Sequence, residues 1–163
     1  KPRTASALWG RALKTPTARR RSAASAFFIP VVMAMGGSIG QQSGIIVVRG
    51  LATGEISPRD LGRRVSRETR SALISGTVIA IMIFTVVVLW QSDINLAIVL
   101  AGTLLIVMLN ASLFGAMIPF IFKRLNVDPA IASGPFVTTF NDVIGLLIYF
   151  GLLTTAITTG MLG

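Results

Sequence analysis

Four apolar runs, at about residues 26–52, 72–90, 94–122 and 130–157, leave this chain few ways to fold. Each is long enough to cross about 30 Å of hydrocarbon at 1.5 Å per residue. A segment in lipid must satisfy its own backbone hydrogen bonds, so runs of this length are expected to be helices. The expected fold is an all-α membrane protein, a bundle of about four transmembrane helices, with 26–163 as one membrane domain. Composition agrees: 53% of the 163 residues are hydrophobic, and the mean hydropathy is +0.77. Cysteine and histidine are both absent. Thiolate catalysis, Cys/His zinc sites and a Ser/His/Asp triad are thereby excluded.

The formal net charge of +9 is unevenly placed. Seven Lys/Arg fall in residues 1–21, six in 49–70, and the last two are Lys123 and Arg124. These charges flank apolar spans and have no aromatic interleaving, so a nucleic-acid partner is not expected and the positive-inside rule accounts for them. It puts the basic linker 53–70 and the turn 123–128 in the cytoplasm. The turn 91–93 and the C-terminus lack Lys/Arg and fall outside. Only the first span conflicts, being basic at both ends. Either residues 1–25 are held outside against the rule, or an upstream span is missing from this chain. Residues 1–25 are expected to form a short interfacial helix near 5–13 with Trp9 at the headgroups, or to be disordered. In the 53–70 linker, Ser57 followed by Pro58 reads as an N-cap and first helical position.

Asp142 lies within the fourth run. An ionised carboxylate at the bilayer centre costs roughly 2.5–3.5 kcal/mol on insertion scales, so it is expected to face a bundle interior or a wet path and to need a partner. Lys123 and Arg124, the only basic residues after Arg70, fall at a helix end. A passing cation would serve instead. Thr138, Asp142, Gly145 and Tyr149 recur at helical spacing and are expected on one stripe. With Thr139 and Asn141 they offer hard oxygen donors suited to Mg²⁺ or Ca²⁺. The bland alternative is a structural Asp bonded to a nearby hydroxyl or amide.

The segment Gly36-Gly37-Ser38-Ile39-Gly40-Gln41-Gln42-Ser43 interrupts the first apolar run. Gly36, Gly40 and Gly44 are four apart, the small-residue spacing of closely packed membrane helices. Close packing alone does not explain Gln41, Gln42 and Ser43, whose polar groups at membrane depth also fit the lining of a wet path. Asn110, in the third run, is expected to make an interhelical hydrogen bond. Pro119 and Pro135 read as kinks or helix starts.

Together these segments resemble a known family. The run from Ile29 and Pro30 through Met35-Gly36-Gly37-Ser38-Ile39-Gly40-Gln41-Gln42-Ser43 is similar to the second membrane helix of the MgtE magnesium channel family. Val48-Arg49-Gly50-Leu51-Ala52-Thr53-Gly54-Glu55-Ile56 is similar to the linker that follows it. Leu125-Asn126-Val127-Asp128-Pro129-Ala130 and Ser133-Gly134-Pro135-Phe136-Val137-Thr138-Thr139-Phe140-Asn141-Asp142-Val143-Ile144-Gly145-Leu146-Leu147-Ile148-Tyr149-Phe150 resemble the entry to the fifth helix and the helix itself. The resemblance implies a homodimer with a pore on its two-fold axis, lined mainly by the spans holding residues 36–43 and Asp142. It implies that Asp142 attracts a largely hydrated Mg²⁺, and it implies the same orientation as the charge count. The family usually has Asn where this chain has Ser38. Its first helix and its cytoplasmic Mg²⁺-sensing domains are not seen in this sequence, so the chain is expected to be a fragment, a truncated product or a minimal relative.

The expected function is therefore a divalent-cation channel or transporter domain of a multi-pass cell-membrane protein, in the bacterial inner membrane. Mg²⁺ is the expected ion, with Ca²⁺, Mn²⁺ and Co²⁺ open. The expected metal-contacting residues are Asp142, Thr138, Asn141 and Thr139. The expected pore lining is Gly36, Gly37, Ser38, Gln41, Gln42, Ser43, Pro135 and Gly145. Two other readings stand beside it. An intramembrane aspartyl protease needs two carboxylates sharing a proton, and Asp142 would have to find its mate in a second copy. A membrane assembly subunit without transport leaves the cost of the buried polar groups unexplained.

Overall fold

The computed structural model describes residues 16–132 and 134–162. The expected interfacial helix over 5–13 with Trp9, and Ser133 of the motif before Pro135, lie outside them. Four long helices make up the fold: α1 (Pro16–Ala52), α2 (Leu61–Gln91), α3 (Ile94–Arg124) and α4 (Pro135–Thr158). All four are long and apolar enough to span a membrane. α1 runs through positions 25 and 26 without a break.

α1 also runs unbroken through residues 36–43. Glycine weakens helices in water partly by exposing backbone to solvent. In hydrocarbon no water competes for the backbone, and the helical hydrogen bonds persist. The linker is shorter than its composition suggests. Ser57 caps a 3-10 turn (Pro58–Asp60) that leads directly into α2. The cap is reciprocal: Ser57 Oγ accepts from the Arg59 amide, and the Ser57 amide donates to Asp60 Oδ2. The first turns of α2 lie within the basic stretch and still pack, because Leu61 and Val65 join Ile56 against Val47, Leu51 and Phe120.

The turn from α2 to α3 is tight. Ser92 takes the left-handed conformation at φ 53°. Asp93 then caps α3, accepting from the Leu96 amide at 3.1 Å, and pairs with Arg21 of α1. Before α4, Asp128 caps a short 3-10 turn (Pro129–Ala132) through the Ala130 amide. Gly134 follows at φ 72°, a conformation that costs a Cβ-bearing residue energy. Pro135 opens α4, where its missing N–H has no helical partner to lose.

α3 is the hub, packed extensively against α1 and α2 and also against α4, whereas α1 and α2 barely touch each other. At one end the core consists of Phe28 and Val32 of α1, Val87 of α2, Leu100 and Leu104 of α3, and Leu153 of α4. At the other end Val47 and Leu51 pack on Ala116 and Phe120. Much of α2 faces outward with Leu73, Ile74, Val78, Ile81, Met82 and Leu89 exposed, as a lipid-contacting helix requires.

Candidate functional site

Between the two cores lies a layer of small residues where α1 crosses α3. A Cβ built on Gly115 would stand 2.2 Å from the Gly40 carbonyl oxygen, and one built on Gly36 would stand 2.8 Å from Val107 Cγ1. The glycine stripe therefore serves helix packing within one chain. A Cβ on Gly40 would come 1.8 Å from Asn141 Nδ2, so α4 enters the same layer through Asn141. Asn141 is buried, and its Nδ2 has no hydrogen-bond partner among the described residues.

The side of α1 adjoining this layer opens outward. There Met33, Ala34, Gly37, Ser38 and Gln41 face Thr138 and Asp142 across an open hollow of about 350 Å³. Gly37 sets its floor, since a Cβ there would lie 3.5 Å from Thr138 Cγ2 and 3.8 Å from Asp142 Oδ1. Thr138 Oγ1 donates to the Gly134 carbonyl at 3.1 Å, leaving the hydroxyl's lone pairs for a further donor or a cation. Gln41 Nε2 reaches to 4.0 Å from where a Cβ of Gly134 would sit, near the start of α4. Ser38 precedes Arg49 by about 16 Å of helix axis, within the apolar part of α1.

The carboxylate of Asp142 is exposed and takes part in no hydrogen bond or ion pair among the described residues. The structural-Asp alternative needs a bonded neighbour, and none is found among the described residues. No cluster of three or more carboxylates, histidines or cysteines occurs among the described residues either. One acid with hydroxyl and amide oxygens on an open surface cannot enclose a dehydrated ion. It suits a cation that keeps most of its waters.

The residues expected at the site divide into groups. The hollow gathers Gly37, Ser38, Gln41, Thr138 and Asp142. Gly36, Ser43, Asn141 and Gly145 are buried inside the bundle instead. Gln42, Thr139 and Pro135 are exposed, but do not line the hollow. The stripe expected from Thr138 to Tyr149 splits along its length: Gly145 packs on Met33 and Val107, and the Tyr149 hydroxyl bonds to the Ser25 carbonyl at 2.5 Å. The expected hydrogen bond of Asn110 is not made among the described residues, and its side chain is half-buried on α3.

One polar cluster escaped the sequence reading. Ser43 Oγ donates to Glu68 Oε2 at 3.0 Å and lies 3.4 Å from Ser112 Oγ. Glu68 also pairs with Arg64, one turn earlier on α2. The spacing of Arg64 and Glu68 is legible as a helical i,i+4 pair, but nothing local points from there to Ser43.

Fold and hollow together define a multi-pass α-helical membrane protein with an acid-bearing polar hollow between two of its spans. The chain belongs to the MgtE family, described as divalent cation transporters, whose sequence model matches residues 29–152. Among curated relatives, the magnesium transporter MgtE of Bacillus subtilis is 41% identical over 137 residues, covering 84% of this chain and 30% of that protein. The magnesium transporter MgtE of Thermus thermophilus is 38% identical, covering 79% of this chain and 28% of its own length. That of Enterococcus faecalis is 36% identical, covering 78% and 28%. The chain thus spans somewhat under a third of the curated relatives it matches.

Proposed function

We propose that this chain is a Mg²⁺-conducting membrane domain and that the hollow between α1 and α4 is one half of its ion path. The observation that carries this reading is the carboxylate of Asp142, exposed and unpaired among the described residues, beside Ser38, Gln41 and Thr138. A lone charge within a membrane span is costly unless it faces water or a counter-ion. Its relatives' names, as magnesium transporters, point to the same cargo.

In this reading two copies meet about a two-fold axis with their hollows face to face, and two Asp142 carboxylates share one ion. Mg²⁺ dehydrates reluctantly and is held through its waters, with Ser38, Gln41 and Thr138 orienting them. Residues 53–70 and 123–128 face the cytoplasm and the C-terminus faces outside. Other divalent cations compete according to how readily they fit hydrated between the same oxygens. The protease reading would also use the facing Asp142 pair, and peptide cleavage by the purified protein would favour it.

The test is Mg²⁺ uptake into proteoliposomes containing the purified chain. Asp142→Asn keeps the volume and removes the charge that concentrates cations, and it is expected to lower flux by roughly tenfold or more. Undiminished flux in a folded Asp142→Asn protein would overturn the assignment.

A further inference from the structure

A second cavity lies at the end of α1 and the first turns of α2, well away from Asp142. It measures about 560 Å³, and four arginines line it: Arg49 from α1 and Arg63, Arg64 and Arg67 from α2. Two carboxylates, Glu55 and Asp60, share the lining. Asp60 is already engaged by the Ser57 amide. Arg49, Arg63 and Arg67 are exposed and make no ion pair among the described residues. Arg64 is different: Glu68 fixes one end of its guanidinium, while its Nε is buried without an acceptor. A buried donor left unmet is unfavourable, and the three exposed guanidiniums beside it are open to an oxygen-rich anion.

The remaining wall is apolar. Ile45 and Ile46 of α1 are 48% and 45% exposed and continue from the arginines towards the membrane interior. A chain of methylenes lying along those isoleucines would bury their exposed apolar surface. The position is the point where two spans leave the hydrocarbon, which is where phosphate headgroups lie.

We propose that this arginine-lined cavity binds the headgroup phosphate of an anionic phospholipid, with an acyl chain along Ile45 and Ile46. Guanidinium groups recognise phosphate by paired, charge-assisted hydrogen bonds. Basic pockets at the cytoplasmic ends of membrane helices are suited to such headgroups. The apolar wall is what selects a lipid over a free phosphate: a soluble anion needs the arginines but gains nothing from Ile45 and Ile46. The assignment concerns lipid retention only and does not depend on the transport reading.

The experiment is native mass spectrometry of the detergent-purified protein titrated separately with phosphatidylglycerol, phosphatidylcholine and inorganic phosphate. Arg63→Gln combined with Arg67→Gln removes two exposed cations from the cavity. Lys123→Gln with Arg124→Gln removes two at the same membrane face, outside it. Circular dichroism checks that both double variants remain folded. We expect phosphatidylglycerol adducts in preference to phosphatidylcholine. Their affinity is expected to fall about fivefold per arginine removed from the cavity, and to change little in the Lys123/Arg124 variant. Equal retention of the two lipids, or equal loss in both double variants, would overturn the proposal. So would displacement of phosphatidylglycerol by inorganic phosphate at comparable concentration, which would make this a soluble-anion site.

Discussion

At the residue scale, Gly40 and Gly115 occupy opposite sides of one contact and differ in what a methyl would strike. At Gly40 the nearest atom is the side-chain amide of Asn141, whereas at Gly115 it is the backbone carbonyl of Gly40. Gly40→Ala is expected to cost about 1–3 kcal/mol by overpacking, and Asn141→Ala in the same protein should recover much of that. Gly115→Ala should cost at least as much and gain nothing from Asn141→Ala, because backbone cannot step aside. Thermal unfolding in detergent across the two double-mutant cycles would check both expectations. Equal rescue in the two cycles would show that the helices slide apart rather than hold their crossing. The polar residues of the hollow were legible in sequence for a simple reason: Asp142, Ser38 and Gln41 stand out against apolar neighbours. Asn141 stood out equally, yet it lies about 100° round the helix from Asp142 and enters the packing layer. Only the placement of α4 against α1 and α3 decides between those two directions.

At the scale of elements, hydropathy marked all four spans, since nothing else in a sequence produces such runs. It does not mark where α2 begins, which the reading of Ser57 and Pro58 as a helix start does. The first turns of α2 carry Arg63, Arg64, Arg67 and Arg70, which lower the local hydropathy, while Leu61 and Val65 supply only a narrow packing stripe. The start is instead encoded by the Ser57 and Asp60 cap, and Ser57→Ala is expected to destabilise it by about 1 kcal/mol. Hydrogen exchange of the amides just after Asp60 would report this as local fraying, with the helix centre unaffected. The Arg64–Glu68 pair lies just beyond this start, and its two members should respond unequally. Glu68→Gln leaves Arg64 without its counter-ion but keeps an oxygen acceptor for Ser43. Glu68→Ala removes both and is expected to cost more, on the order of 3–5 kcal/mol. Chemical denaturation of the two variants side by side would test that order. A smaller loss in Glu68→Ala would mean that the Ser43 link contributes nothing.

For the whole molecule, orientation is the property most accessible to experiment, because the chain contains no cysteine. Thr53 and Thr159 are both exposed and lie at opposite ends of the bundle in the proposed topology. Thr53→Cys should resist a membrane-impermeant thiol reagent applied to intact cells, and Thr159→Cys should react. Labelling of both positions from the same side would contradict the four-span path. Over the same scale, α1 separates two kinds of position within a single stretch of helix. Gly36 and Gly40 admit no added atom without moving another part of the bundle, whereas Gly37 has only ordinary contacts and Ser38 and Gln41 are exposed. Mutation can therefore rewrite the surface of the hollow while the scaffold stays fixed. Ser38 occupies the editable side. A lineage can thus vary the polarity of the hollow with little loss of stability, because the residues that line it and the residues that hold the bundle together are inherited as separate sets.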